Sequence, residues 1–313
     1  MTTTVHTAIV RTRDLVRGPL ALAEQPAWEH TAITFQHQLK AMPITDTAID
    51  LAIRLGSPAR AANCLRPALQ HVEALVYRGD LSFEDHQRHG TAADTTWRQG
   101  IDAILGAYRL ADDSALAGEL DTLADYFELE TRIAGGLEPL TPDLLHATCY
   151  QRSSHIRFLV RLAHHLADLP LHEEFLRLAG HVFARDEITA DCVTYASDLA
   201  EGSFNTLRLQ AVLHGPRGAA EAQRALYARV LGDLDAELAQ ADRPTLALFG
   251  NAFLPRLTRP RRHRHDPDPR PRAYYRAMPP AMLRRHIREQ VRRSKRLAPV
   301  PVPQAQHEPS AEG

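Results

Sequence analysis

Residues 141–166 read TPDLLHATCYQRSSHIRFLVRLAHHL, and this stretch decides the fold class. Thr141 is an N-cap residue, and Pro142 behind it sits where a missing backbone N–H costs nothing. From there Leu144, Leu145, Ile156, Leu159, Leu162 and Leu166 mark an apolar pattern with helical spacing. The spacing predicts a long helix with a wide apolar face, as in a bundle whose central helices are wrapped by others. Outward from it, the same pattern fills Thr47–Leu55, Ala61–Tyr77, Asp94–Leu110, Ala115–Ile133, Leu171–Phe183 and Ala219–Gln240. Leu and Ala dominate, alternating β-branched runs are rare, and no Asn-Gly or Asp-Gly pair separates apolar stretches. Gly90, Gly135-Gly136 and Gly202 punctuate helix ends or breaks. No segment repeats with a solenoid period. The expectation is an all-α protein built as a single large helical bundle.

The chain has 313 residues, 44% apolar and 24% charged, which suits a globular core and excludes a small stapled scaffold. Cys64, Cys149 and Cys192 lie far apart without a CxxC pair, so neither a disulfide framework nor a cysteine zinc site is expected. No apolar run is long enough for a membrane span, and MTTTVHTAIVRTRD lacks the features of a secretory signal. A cytoplasmic location is the expectation. The formal net charge of −1 hides a division: residues 256–313 hold 15 basic and 5 acidic residues, and the rest hold 22 and 33. An acidic body therefore carries a basic extension. RPRRHRHDPDPRPR (259–272) has too many prolines for regular helix, and APVPVPQAQHEPSAEG (298–313) reads as disordered. Between them Leu283, Ile287 and Val291 recur every fourth residue in an arginine-rich segment, so a short helix is expected over 281–297. The expected division is a bundle over 1–257 and a basic, largely disordered C-terminal extension over 258–313.

Two acidic clusters carry chemistry. Gly79-Asp80-Leu-Ser-Phe-Glu84-Asp85 follows the apolar segment Val72–Tyr77 and precedes Arg88-His89-Gly90. On a helix Asp80 and Glu84 share a face. The second cluster is Asp186-Glu187 with Asp191, in which Glu187 and Asp191 form the better-aligned pair. Oxygen-rich groups of this kind suit Mg²⁺, which takes one or two carboxylates and completes its shell with water and substrate phosphate. Taken singly, each cluster reads more simply as a solvated helix end.

Their order changes the reading. His71-Val-Glu-Ala-Leu-Val-Tyr77, the first acidic cluster, Arg88-His89-Gly90, Tyr150-Gln-Arg152-Ser153-Ser154, Phe183-Ala-Arg-Asp186-Glu187 and Ser197-Asp198-Leu-Ala-Glu201-Gly202-Ser203-Phe-Asn-Thr206-Leu207 follow one another along the chain. In that order they resemble the motifs of the trans-isoprenyl diphosphate synthase (polyprenyl synthetase) family, from about Ala61 to Leu207. The resemblance implies an isoprenoid-synthase-type bundle and Mg²⁺ held by Asp80, Glu84, Asp85, Asp186, Glu187 and Asp191. It implies a prenyl diphosphate contacted by His71, Arg88, His89, Arg152, Ser153 and Asp198, with Asp80, Arg88, Arg152 and Asp186 carrying catalysis. It also favours a dimer, either of this chain or with a related synthase.

The departures from the family pattern are informative. Gly79 stands where the family has a first aspartate, His89 replaces a second arginine, Arg152 replaces a lysine, and Ser203 replaces another lysine. Only Lys40, in Gln38-Leu-Lys40-Ala-Met-Pro43, remains of the family's first basic element. The losses fall on the acceptor diphosphate more than on the allylic one. The resemblance then implies a Mg²⁺-dependent, terpene-synthase-like enzyme that ionises an allylic diphosphate, with chain elongation disfavoured. A non-catalytic partner or regulatory subunit of a prenyl diphosphate synthase is the alternative.

Other groups read more plainly. Asp112-Asp113 reads as an exposed helix feature, His164-His165 lacks metal-ligand spacing, and Phe158, Phe175 and Phe183 read as core. The polybasic extension suits peripheral contact with an anionic membrane surface. Nucleic acid is not expected as a partner, since only Tyr274 and Tyr275 offer stacking there.

Overall fold

A computed structural model describes residues 30–258, 278–293, 299–301 and 303. The expectations of disorder at 259–272 and through most of 298–313 fall outside the described residues. Among the described residues every regular element is helical: α1 (Phe35–Leu55), α2 (Ala59–His89), α3 (Thr96–Ala107), α4 (Ser114–Ala134), α5 (Pro142–Arg152), α6 (Ser154–Ala167), α7 (Glu173–Glu201), α8 (Thr206–Gln240), α9 (Arg243–Thr258) and α10 (Pro280–Arg293). The protein is all-α. None of these helices is long and apolar enough to cross a membrane, and none of the three cysteines forms a disulfide.

Two apolar cores share a wall. One joins α1, α2, α3, α4 and α6 around Leu69, Trp97, Leu120, Phe127, Phe158 and Leu162. The other joins α5–α10 around Phe175, Phe183, Val230, Leu234, Phe249 and Phe253. Helix α6 belongs to both, turning Phe158, Leu159 and Leu162 to the first and Ile156 and Val160 to the second. A helix buried on nearly every side is what an unbroken apolar pattern produces at the centre of a bundle. Phe158, Phe175 and Phe183 are all core residues, at most 1% exposed.

The stretch at 141–166 is not one helix. It breaks at Ser153, where α5 ends and α6 begins. The Tyr150 carbonyl accepts from Ser153 Oγ at 3.1 Å and from Arg157 Nη1 at 2.9 Å. Side-chain donors have taken the acceptor that a continuing helix would use, which turns the chain. Thr141 does cap α5, its Oγ1 accepting from Leu144 N at 3.1 Å. Elsewhere helices run further than the apolar pattern alone suggests. Helix α2 continues through the first acidic cluster to the left-handed Gly90, and α7 continues through the second to the left-handed Gly202. Asp113 caps α4, accepting from the Ala115 and Leu116 N–H groups, and pairs with His165 at 2.9 Å.

Helix α10, within the basic extension, packs on α8 and α9. Leu283, Ile287 and Val291 are at most 2% exposed, and Arg284 donates to the Ala241 carbonyl at 2.7 Å.

Candidate functional site

Between the two cores runs a polar seam, and α2 builds one side of it. Glu73, Tyr77, Asp80, Glu84 and Arg88 succeed one another at steps of three or four residues and so share a face. Tyr126 and Glu130 of α4 do the same, as do Glu187 and Asp191 of α7. Arg152 ends α5 and His155 opens α6, so the break at Ser153 places both at the seam.

Arg152 is its hub. Nη1 donates to Asp191 Oδ1 at 2.7 Å, Nε lies 3.0 Å from Glu187 Oε2, and the guanidinium sits 5.9 Å over the Phe204 ring. Burial opposes its charge, but Asp191 and then Glu187 more than offset this and hold its pKa above the usual guanidinium range. Asp191 is wholly buried, and its second oxygen accepts from Thr206 N at 2.9 Å and Thr206 Oγ1 at 2.6 Å. The pair therefore clasps α5 and α7 to the start of α8. At the outer end Arg88 donates to Glu84 at 2.8 Å and to Ser203 Oγ at 2.9 Å. At the inner end His155 Nδ1 lies 2.7 Å from Glu73 Oε1.

The carboxylates between these ends outnumber the cations. Asp80 makes no ion pair among the described residues, and burial, followed by Glu84, pushes its carboxyl up to about 6. Glu130 is 4% exposed, and burial, followed by the Asp80 charge, pushes it up to about 8. Such shifts mark charge that the surroundings do not neutralise. An aromatic band flanks the acids: Phe83 stacks on Phe127 at 5.3 Å, Trp97 meets Phe127 edge-on at 5.5 Å, and Tyr126 meets Phe204 edge-on at 5.8 Å.

The expected site residues divide. Asp80, Glu84, Arg88, Arg152, Glu187 and Asp191 meet at the seam. Ser153, next to Arg152, is spent on the Tyr150 carbonyl and Arg157. Asp198 accepts from Thr194 at 2.6 Å and from Asn205 at 2.8 Å, bracing the turn into α8. Asp186 is half exposed and pairs with Arg185 at 2.5 Å, away from Arg152. Asp85 accepts from Thr91 at 2.7 Å, and His89 is 64% exposed 3.8 Å from it. His71 Nε2 is bonded to the Thr31 carbonyl at 2.7 Å. Sequence reasoning passed over Glu73, Tyr126, Glu130, His155 and Phe204. For the first four the signal was a charged or polar residue inside an apolar helical face, as in Val72-Glu73-Ala74 and Phe127-Glu-Leu129-Glu130, whereas Phe204 lies in the turn before α8 and carried no such signal.

Among the described residues no three His, Cys, Asp or Glu side chains form a metal cage. Magnesium does not need one, since one or two carboxylates with water and phosphate suffice. Asp80 has the unneutralised charge, and Glu84, four residues on and already paired with Arg88, the oxygen chemistry, that fit such an ion. Asp191 does not, because both of its oxygens are engaged by protein donors. Two cavities lie elsewhere, one of about 530 Å³ along α10 at Arg284, Arg285 and Arg288, the other of about 290 Å³ beside His172 and Arg243.

A scan against protein-family models finds none that matches this chain, and a search of curated proteins finds no match either.

Proposed function

We propose that the protein is a class I isoprenoid-type enzyme acting on an allylic prenyl diphosphate, closer in behaviour to a terpene synthase than to a chain-elongating prenyltransferase. The observation that carries this reading is the meeting of Asp80, Glu84, Arg88, Arg152 and Glu187, from separate motifs on α2, α5 and α7, at one polar seam beside aromatic rings. Arg88 and Arg152 are the donors for the diphosphate. A guanidinium has five N–H donors, and Arg152 spends Nε and Nη1 on carboxylates while Arg88 spends Nη2 on Glu84 and Ser203, so the donors that remain would serve the diphosphate. Asp80 and Glu84 would hold Mg²⁺, which supplies positive charge to the leaving diphosphate. The arginines stabilise the negative charge that develops on that group as the C–O bond breaks. Phe83 and Phe204, both partly accessible, offer ring faces to a carbocation left behind. Lys40, at 5.8 Å over the Tyr77 ring, is the one lysine among the described residues, which leaves little there to hold a second diphosphate.

A second reading is favoured by Gly79. A Cβ there would lie 2.8 Å from two atoms of the Trp97 indole, so packing fills the place of the family's first aspartate. A scaffold that has sealed one acidic position suits a non-catalytic partner of a related synthase, in a homodimer or heterodimer. Incubation of the purified chain with geranyl, farnesyl and geranylgeranyl diphosphates and Mg²⁺ separates the two. Diphosphate release with hydrocarbon or alcohol products is expected for the enzyme. A chain inert alone that restores activity to a co-expressed synthase supports the partner, and inertness in both assays overturns both.

A further inference from the structure

At the inner end of the seam stands a dyad that the diphosphate chemistry above does not use. Glu73 is wholly buried, yet only its Oε1 is engaged, accepting from His155 Nδ1 at 2.7 Å, while Oε2 has no hydrogen-bond partner. A carboxylate left half-satisfied in the interior carries the desolvation penalty of its unpaired oxygen. Burying a charged pair is weak evidence of a stabilising purpose, since apolar residues of the same volume serve a core as well or better. The imidazole is placed asymmetrically. Nδ1 carries its proton toward Glu73, so in the neutral ring the lone pair is on Nε2. His155 keeps 11% of its side chain accessible, and besides Glu73 the charges that face it are Asp80 from α2 and Glu187 from α7. Both belong to the seam where the diphosphate is proposed to sit.

We infer that His155 is the base that ends the reaction, taking a proton from the carbon next to the cationic centre, and that Glu73 is the positioning residue that fixes its tautomer. The inference rests on the allylic-diphosphate reading and deepens it. The step balances without any co-reactant. The C–H electron pair becomes the second bond of an alkene, the proton goes to Nε2, and diphosphate has already departed with the electrons of the C–O bond. The imidazolium then returns its proton to solvent or to the released diphosphate. Where no base is placed, water captures the cation and the product is an alcohol. Burial opposes protonation of His155, but Glu73, then Glu187 and Asp80, together outweigh burial and raise the imidazole pKa. The ring therefore becomes a base only as pH rises through that raised value, and the alkene fraction rises with it.

The test is the alkene-to-alcohol ratio per diphosphate released, with farnesyl diphosphate and Mg²⁺, across about pH 5 to 9. In the wild type the ratio is expected to climb through one inflection above the ordinary histidine value. His155→Asn keeps a donor for Glu73 but has no base, and the ratio is expected to fall by about 100-fold, the lower range for a positioned base. Glu73→Gln is expected to move the inflection to lower pH, a change that loss of packing would not produce. Nitrogen NMR of the wild type gives a reading independent of any variant's folding, and is expected to show protonated Nδ1 and bare Nε2 once the ring is neutral. A folded His155→Asn protein with an unchanged ratio, a ratio flat with pH, or a proton on Nε2 in place of Nδ1 would overturn the inference. If the wild type releases no diphosphate at all, the reading beneath the inference has failed and takes it down.

Discussion

Gly79 lies inside a long helix, where alanine ordinarily gains about 1 kcal/mol over glycine. Here the sign reverses, because the new Cβ would meet the Trp97 ring at 2.8 Å, and Trp97 is itself 3% exposed within the first core. Gly79→Ala is therefore expected to lower stability by about 1–3 kcal/mol, and Gly79→Asp by more, since it adds a carboxyl to the same crowding. Urea unfolding midpoints check this, and a gain in stability for the alanine variant would mean that the indole yields. The residue types at the seam were visible in the sequence, but their duties were not. Asp191 looked like a metal ligand and is instead held by Arg152 and Thr206. Asp186 was expected at the metal beside Glu187, but lies one position before it on the helix and pairs with Arg185. Adjacent helical residues point about 100° apart, so which of two neighbouring acids turns inward depends on what packs against α7.

At the scale of elements, α10 shows how a basic segment becomes part of a core. Arg284 and Arg288 lie along its edges and Arg285 on its outer side, while Leu283, Ile287 and Val291 enter the second core with Phe249 and Leu234. Arg288 pairs with Asp235 of α8 at 3.3 Å, an ion pair 40% and 23% exposed that adds little by itself. Burial of the three apolar side chains holds the helix. Ile287→Ala is expected to cost about 2–5 kcal/mol. Because α10 packs on the body, that loss should appear as a lower midpoint of the global urea transition at unchanged slope. A midpoint that does not move would place α10 outside the cooperative unit. The every-fourth-residue pattern made this helix legible in advance. The break between α5 and α6 was not, because the pattern of apolar residues runs through it. It depends on the Tyr150 carbonyl meeting Ser153 and Arg157.

Across the whole molecule, the seam exchanges stability for charge. Glu130 holds its proton up to about 8, whereas an unfolded glutamate releases it near its ordinary value of 4.5. Between those values the folded state binds more protons than the unfolded one, so stability falls as pH rises. Thermal unfolding of the wild type should show a Tm that declines from about pH 5 to pH 8 as this carboxyl, with Asp80 below it, is forced to ionise. Glu130→Gln should flatten that slope and raise stability at pH 8 by about 1–3 kcal/mol. A Tm that instead rises over this range would show that the seam's cations neutralise it fully. By itself the sequence determined that the chain is helical throughout its body, where several helices end, and that its arginines and acids fall in a telling order. Those features follow from the apolar period, from glycine and from residue type, all of which are local. The tertiary structure alone decided which acids share the seam with Arg152, that Glu73 and His155 meet there, and that an indole fills the space beside Gly79. These are contacts between residues far apart in the chain, and only the packing of one helix against another creates them.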